Sequence, residues 1–207
     1  GGLASSTATT MMFSRHAREH ADLVRMSAIV ILIANVMVMI RLWLVAGVVA
    51  PHLAAPIAIV FACGIVPGVA MALYGWKILS TADNLPMPEV KNPTELKTAV
   101  SFGLLYAVVL LASAWLQDRA GNSGLYIVAL VSGLTDADAS VLSTLRMFNL
   151  DKVASGEAVI AVALALLANL AFKIGLVVSI GGGTLARHAL PGLLAIGGGM
   201  GLGLLLV

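Results

Sequence analysis

The chain has 207 residues, of which 60% are apolar and only 11% charged, with a net charge of +2 and a mean hydropathy of +1.02. Soluble domains carry about a quarter charged residues, so this is the composition of an integral membrane protein with the lipid bilayer as its first partner. No Lys/Arg cluster with interleaved aromatics argues for a nucleic-acid partner, and the single Cys63 excludes an internal disulfide.

A crossing of about 30 Å of hydrocarbon needs roughly 20 apolar residues. In chain order, residues 2–13 make at most half a span, and residues 26–49, 53–79, 98–116, 125–145, 158–180 and 190–207 make six candidates. Pro56 and Pro67 fall inside the second, where neighbouring helices can satisfy the carbonyls that a kink frees. No signal-peptide pattern is visible. The chain begins Gly-Gly inside what reads as the middle of a repeat, so 1–207 is expected to be part of a longer protein.

One motif occurs twice, 131 residues apart. Gly2-Leu3-Ala4-Ser5-Ser6-Thr7-Ala8-Thr9 reads against Gly133-Leu134-Thr135-Asp136-Ala137-Asp138-Ala139-Ser140, pairing Ser5 with Asp136, Thr7 with Asp138 and Thr9 with Ser140. Each copy is followed by an apolar helix carrying Ala-Asn and then a lone cation: Ala34-Asn35 with Arg41, and Ala168-Asn169 with Lys173. Duplicated helices with polar groups in matching places are a transporter device. The expected fold is an all-α, polytopic transmembrane bundle of about six full spans plus a partial N-terminal helix. It divides into a first repeat (1–80), a loop (81–97) and a second repeat of four spans (98–207).

Strict alternation puts Arg15, Arg18, Arg25, Lys77, Lys91, Lys97, Arg146 and Lys152 on one side and leaves Arg119 and Arg187 on the other. That bias makes the first side cytoplasmic, with the loop 81–97 inside and the C-terminus outside. Four crossings then separate the motif copies, so the repeats are expected to run parallel.

Only Asp136 and Asp138, of ten acidic residues, lie within a span. Asp136 falls about 17 Å deep, where a carboxylate costs several kcal/mol unless solvated, paired or metal-bound. Ser132, Asp136, Ser140 and Ser143 recur at helical spacing as one polar stripe, the pattern of a wet pathway wall. Asp138 points about 200° away from Asp136 on an unbroken helix, so both face one site only if the helix unwinds near Ser132-Gly133.

Oxygen ligands without His or Cys suit a hard cation such as Mg²⁺ as a bound ion or cargo, with Asp136 and Asp138 as its metal ligands. The alternative is that an aspartate caps a half-helix and satisfies its free amides. Arg41 and Lys173 either snorkel outward or pair with the two aspartates. Asn35 and Asn169 are interhelical hydrogen-bond partners or further oxygen ligands.

The runs Gly181-Gly182-Gly183 and Gly197-Gly198-Gly199 lack the Lys-Ser/Thr of a phosphate loop and are expected to serve close helix packing. His16, His20, His52 and His188 fall at loop ends without metal-ligand spacing. No nucleophile–base pair argues for an enzyme.

Asn92-Pro93-Thr94-Glu95-Leu96-Lys97, Gly124-Leu125-Tyr126, Ser132-Gly133-Leu134-Thr135-Asp136-Ala137-Asp138-Ala139 and the Ala-Asn-x-x-x-Lys at 168–173 carry a family resemblance. The chain resembles the C-terminal membrane domain, of unassigned function, of long MgtC/SapB-type bacterial inner-membrane proteins. That resemblance implies a bacterial inner-membrane address, a link to metal-ion homeostasis, and an N-terminal MgtC-like half as a partner in the same protein. The expected function is transport or homeostasis of a small cation, Mg²⁺ or a proton-coupled species. Its site would hold Asp136, Asp138, Ser140, Ser132, Ser5, Thr7, Asn35 and Asn169, with Arg41 and Lys173 as charge partners. The competing expectation is a non-transporting regulator that acts through helix contacts with another membrane complex. Small-residue faces are compatible with a homodimer.

Overall fold

The computed structural model describes residues 5–80 and 124–207, and every element among them is helical. The expected span 98–116, the loop 81–97, Arg119 and the motif residues Gly2, Leu3 and Ala4 lie outside the described residues. The helices are α1 (Ser6–Glu19), α2 (Val24–Val49), α3 (Pro51–Ser80), α4 (Leu125–Thr135), α5 (Ala137–Asn149), α6 (Ser155–Leu176) and α7 (Gly182–Leu204). Three stretches are long and apolar enough to cross a membrane: Ala21–Val49, Pro51–Ser80 and Ser155–Leu204, the last holding α6 and α7. This is a membrane-protein fold.

Helix α2 is the ruler of the molecule, 26 residues or about 39 Å long. One end, where α1 hands over to α2 through His20 and the short turn Ala21–Leu23, is called the near face here. The other end is the far face, where Ala50 alone joins α2 to α3 with non-helical dihedrals (φ −139°, ψ 76°). The chain doubles back there, and Trp43 Nε1 donates across the joint to the carbonyl of Ala54 at 3.1 Å.

Helix α3 returns to the near face with Pro56 and Pro67 inside it. Helix α6 leaves the far face and ends at the near face. There Arg18 Nη1 of α1 donates to the carbonyls of Ser179 (3.4 Å) and Ile180 (3.2 Å). Helix α7 then runs back beside α3 and α6, so that Gly197 lies beside Leu170. The core sits among α2, α3, α6 and α7, with Ile31, Leu53, Val60, Ala163, Leu193 and Met200 buried in one cluster. Helix α7 lies so close to α3 that a Cβ on Gly199 would stand 2.0 Å from the carbonyl oxygen of Cys63. That is the close packing expected of the second glycine run.

Four expectations change here. The Gly181-Gly182-Gly183 run is a joint rather than a packing face. Residues Val177–Gly181 form a π turn, Gly182 adopts φ +74°, and a Cβ on Gly182 or Gly183 would meet nothing within 4 Å. The last helix therefore starts at Gly182, not residue 190. The run 125–145 is not one span, because a single extended residue, Asp136, splits it into α4 and α5. His188 is no loop-end residue: it lies in the second turn of α7, its Nδ1 2.8 Å from the carbonyl oxygen of Thr184, whereas His16 falls in the last turn of α1.

The fourth change concerns direction. Helix α5 ends at the far face, where Asn149 Nδ2 donates to the carbonyl of Val49 at 2.6 Å. Helix α1 ends at the near face. The two motif helices therefore run in opposite senses, where parallel copies were expected. The count of crossings ran through 98–116, which lies outside the described residues, and through 125–145, which Asp136 divides in two. Arg146 and Lys152 consequently sit at the far face, away from Arg15, Arg18, Arg25 and Lys77. Arg187 joins that near-face group, lining a cavity with Arg25.

Candidate functional site

The site begins with two capped helix ends. At α1, Ser5 is extended (φ −156°, ψ 110°), and its Oγ accepts from the amide of Ala8 at 3.2 Å. At α5, Asp136 is extended (φ −141°, ψ 93°), and its Oδ1 accepts from the amide of Ala139 at 3.0 Å. The next bonds match as well: Thr9 N donates to Ser5 O at 3.1 Å, and Ser140 N to Asp136 O at 3.2 Å. The cap bond and the first backbone bond thus recur at matching positions in the two copies. Ser and Asp are strong N-caps because a short side chain reaches the third amide of the helix. The first two amides of each helix have no acceptor within it. These belong to Ser6 and Thr7 in α1 and to Ala137 and Asp138 in α5.

The two N-termini line one cavity of about 330 Å³. Ser5, Ser6 and Thr7 come from one side, Thr135, Asp136 and Asp138 from another, and Arg41, Val38 and Asn169 from α2 and α6. The geometry explains the meeting point. Helices α1 and α5, 14 and 13 residues long, measure about 21 and 20 Å, together close to the length of α2. Starting back to back and ending at opposite faces, they begin near mid-depth.

Charge is arranged around that cavity in two layers. On its wall, Arg41 Nη2 donates to Asp138 Oδ1 and Oδ2 at 2.6 and 2.5 Å, with side chains 32% and 54% exposed. Behind it, Lys173 is 1% exposed. Its Nζ donates to Ser6 Oγ at 2.7 Å and to Asn35 Oδ1 at 3.0 Å. Asn35 in turn donates to Ile31 O at 2.8 Å, which fixes which end of the amide faces the ammonium. Asn169 Nδ2 donates to the carbonyl of Gly133 at 3.1 Å, holding the end of α4 against α6. The approach needs a glycine: a Cβ at position 133 would lie 2.4 Å from the carbonyl oxygen of Ala165.

The expected site residues separate into three groups. Ser5, Thr7, Asp136, Asp138, Asn169 and Arg41 come together at the cavity. Asn35 and Lys173 stand one layer back, so Lys173 does not snorkel and, among the described residues, forms no salt bridge with an aspartate. Ser132, Ser140 and Ser143 form no wall with Asp136, because the break at Asp136 destroys the helical register that aligned them. Ser132 Oγ is spent on its own helix at Val128 O (2.6 Å), Ser140 is buried, and Ser143 lines a separate surface hollow with Arg146. Unwinding was expected near Ser132-Gly133 and falls at Asp136 instead, since the cap residue is the one that must leave helical geometry. Among the described residues no group of three His, Cys, Asp or Glu side chains could hold a metal ion. Ser6 is the residue missed; its place next to a cap was legible, but its acceptor role toward Lys173 was not.

Residues 1–181 match the family described as a domain of unknown function, DUF4010. The chain belongs to that family. It is also similar to an uncharacterized protein of Aquifex aeolicus (strain VF5), 26% identical over 185 residues, covering 87% of this chain and 79% of the relative. No solved structure matches it.

Proposed function

We propose that this DUF4010 protein is a multi-pass transport domain of the bacterial inner membrane whose cavity takes a small anionic or zwitterionic solute. The observation that carries this reading is the convergence of two opposed half-helix N-termini and Arg41 on one cavity. Arg41 and Lys173 contribute two positive charges, and Asp136 and Asp138 two negative ones. The formal sum is zero, so the helix ends decide the sign. Each N-terminus contributes about half a positive charge and free amides aimed outward. The C-terminus of α4, which ends at Thr135 on the same cavity, contributes about half a negative one, so the balance is about half a positive charge. Broken helices that present such ends near mid-depth are how many secondary transporters hold anionic groups, between inverted halves that rock about the site.

The small cation expected from the sequence, Mg²⁺ above all, is the second reading, favoured by the two carboxylates on the wall. Their engagement weighs against it: Asp138 faces Arg41 with both oxygens, and one oxygen of Asp136 is used on the Ala139 amide. The regulator reading draws on the same bonds, since caps and the Asn169–Gly133 contact also hold helices together. An MgtC-like half and a second copy of the chain remain the proposed protein partners.

Sidedness rests on the cations. Arg15, Arg18, Arg25, Lys77 and Arg187 lie towards the near face, and Arg146 and Lys152 at the far face. The positive-inside rule makes the near face cytoplasmic.

The test is thermal stability of the purified protein titrated with small carboxylates, phosphate and amino acids, and separately with Mg²⁺ and Mn²⁺, followed by flux into proteoliposomes with the hit. Stabilisation by an anionic or zwitterionic solute, lost in a folded Arg41→Gln variant, is the expected result. Stabilisation by divalent cations alone overturns the anion reading in favour of the cation one. No response with intact fold, and no flux, leaves the regulator.

A further inference from the structure

A second cavity, of about 300 Å³, opens at the near face between α2, α3 and α7. Its mouth carries Arg25 from the first turn of α2, and Arg187 and His188 from the second turn of α7. Among the described residues no carboxylate lines it and neither arginine forms a salt bridge. Away from the mouth the lining turns apolar, through Leu32 and Met71. Tyr74, on its rim, is 64% exposed. On the same stretch of α3, Leu73 and Trp76 are exposed to similar degrees, 63% and 55%. In a membrane fold that surface meets lipid, with its tyrosine and tryptophan at the depth where aromatic belts sit.

We propose that this groove is a binding site for one anionic glycerophospholipid. The phosphate lies between the guanidinium groups of Arg25 and Arg187, and an acyl chain runs along the groove over Leu32 and Met71. The argument is charge and polarity together. Guanidinium pairs recognise phosphate through forked donors, and basic pockets between transmembrane helices at the membrane surface are suited to anionic headgroups. An inorganic phosphate would satisfy the mouth but leave the apolar half of the groove unfilled. A neutral lipid would fill the groove but leave two arginines without a counter-charge among the described residues. Only a lipid with a net negative headgroup matches both ends.

The experiment is native mass spectrometry of the detergent-purified protein after incubation with phosphatidylglycerol or phosphatidylcholine, with inorganic phosphate tested in parallel by thermal shift. The expected result is one phosphatidylglycerol retained in preference to phosphatidylcholine, and retention weakened roughly tenfold or more in Arg25→Gln/Arg187→Gln. Unchanged elution and unchanged lipid-free melting show that the variant is folded, and Arg25→Gln alone, at an exposed position, serves if the double variant is not. Equal retention of both lipids, no retention by the wild type, or undiminished retention by the folded variants each overturns the proposal. Stabilisation by inorganic phosphate equal to that by phosphatidylglycerol overturns it too, since the acyl groove would then contribute nothing.

Discussion

Lys173 Nζ and Ser6 Oγ lie 2.7 Å apart, both residues buried, joining the first residue of α1 to α6 across 167 positions of chain. The ammonium has no carboxylate within salt-bridge distance among the described residues and is held by two neutral oxygens, those of Ser6 and Asn35. It fixes the start of a half-helix that lines the cavity.

A buried charge stripped of one acceptor costs more than the bond itself was worth. Ser6→Ala is therefore expected to destabilise the protein by about 1–3 kcal/mol. Removing the charge as well, in Ser6→Ala/Lys173→Met, is expected to recover part of that loss, because no ammonium is then left short of a partner. The two changes should couple in a double-mutant cycle read by thermal or denaturant unfolding in detergent. Strict additivity would mean that the Ser6–Lys173 bond contributes nothing.

Asp136 separates the cap from the ligand. Asn caps as well as Asp, so Asp136→Asn is expected to leave stability nearly unchanged, while Asp136→Ala costs about 0.5–2 kcal/mol. The matched change at the other helix, Ser5→Ala, should cost a similar amount. Under the anion reading, Asp136→Asn keeps or strengthens solute binding, since it removes a negative charge from the wall. Loss of binding in a fully stable Asp136→Asn would instead return the carboxylate to the role of a cation ligand.

The helical class, the half-helix at the N-terminus and the gathering of Ser5, Thr7, Asp136, Asp138 and Asn169 were legible in the sequence. The reason is chemical: a repeated stretch of small residues with oxygen side chains at matching positions is what a pair of capped ends requires. Direction was not legible. One extended residue splits a run of spanning length without altering its hydropathy, so hydropathy alone does not say in which sense the helix after the split runs. The burial of Lys173 was hidden for another reason. Its acceptors, Ser6 and Asn35, arrive from 167 and 138 residues away, and rise along a helix measures depth across the membrane, not burial among neighbouring helices.

The opposed senses of α1 and α5 make a prediction about sidedness. In a Cys63→Ala background, Ala21→Cys at the near face and Leu150→Cys at the far face should react with a membrane-impermeant maleimide from opposite sides of sealed vesicles. Both positions are exposed at helix ends, so access is not limited by packing. Labelling of both from the same side would restore the parallel arrangement and remove the head-to-head geometry on which the anion reading depends.

Gly133 supplies the sharpest steric prediction. Its Cα lies so close to α6 that an added methyl would stand 2.4 Å from Ala165 O and 2.6 Å from Ala165 Cα, backbone atoms that no rotamer change can move. Gly133→Ala must push α4 away from α6, stretching the Asn169–Gly133 bond and shifting the Asp136 joint. The control is Gly175→Ala, also within a helix, where the new methyl meets nothing within 4 Å. There the gain in helix propensity, up to about 1 kcal/mol, is unopposed. Melting temperatures should therefore fall for Gly133→Ala and hold or rise for Gly175→Ala, and solute-dependent stabilisation should be lost only in the first. A Gly133→Ala protein as stable and as responsive as wild type would show that α4 and α6 do not cross this closely, and that the joint at Asp136 is positioned by something other than that contact.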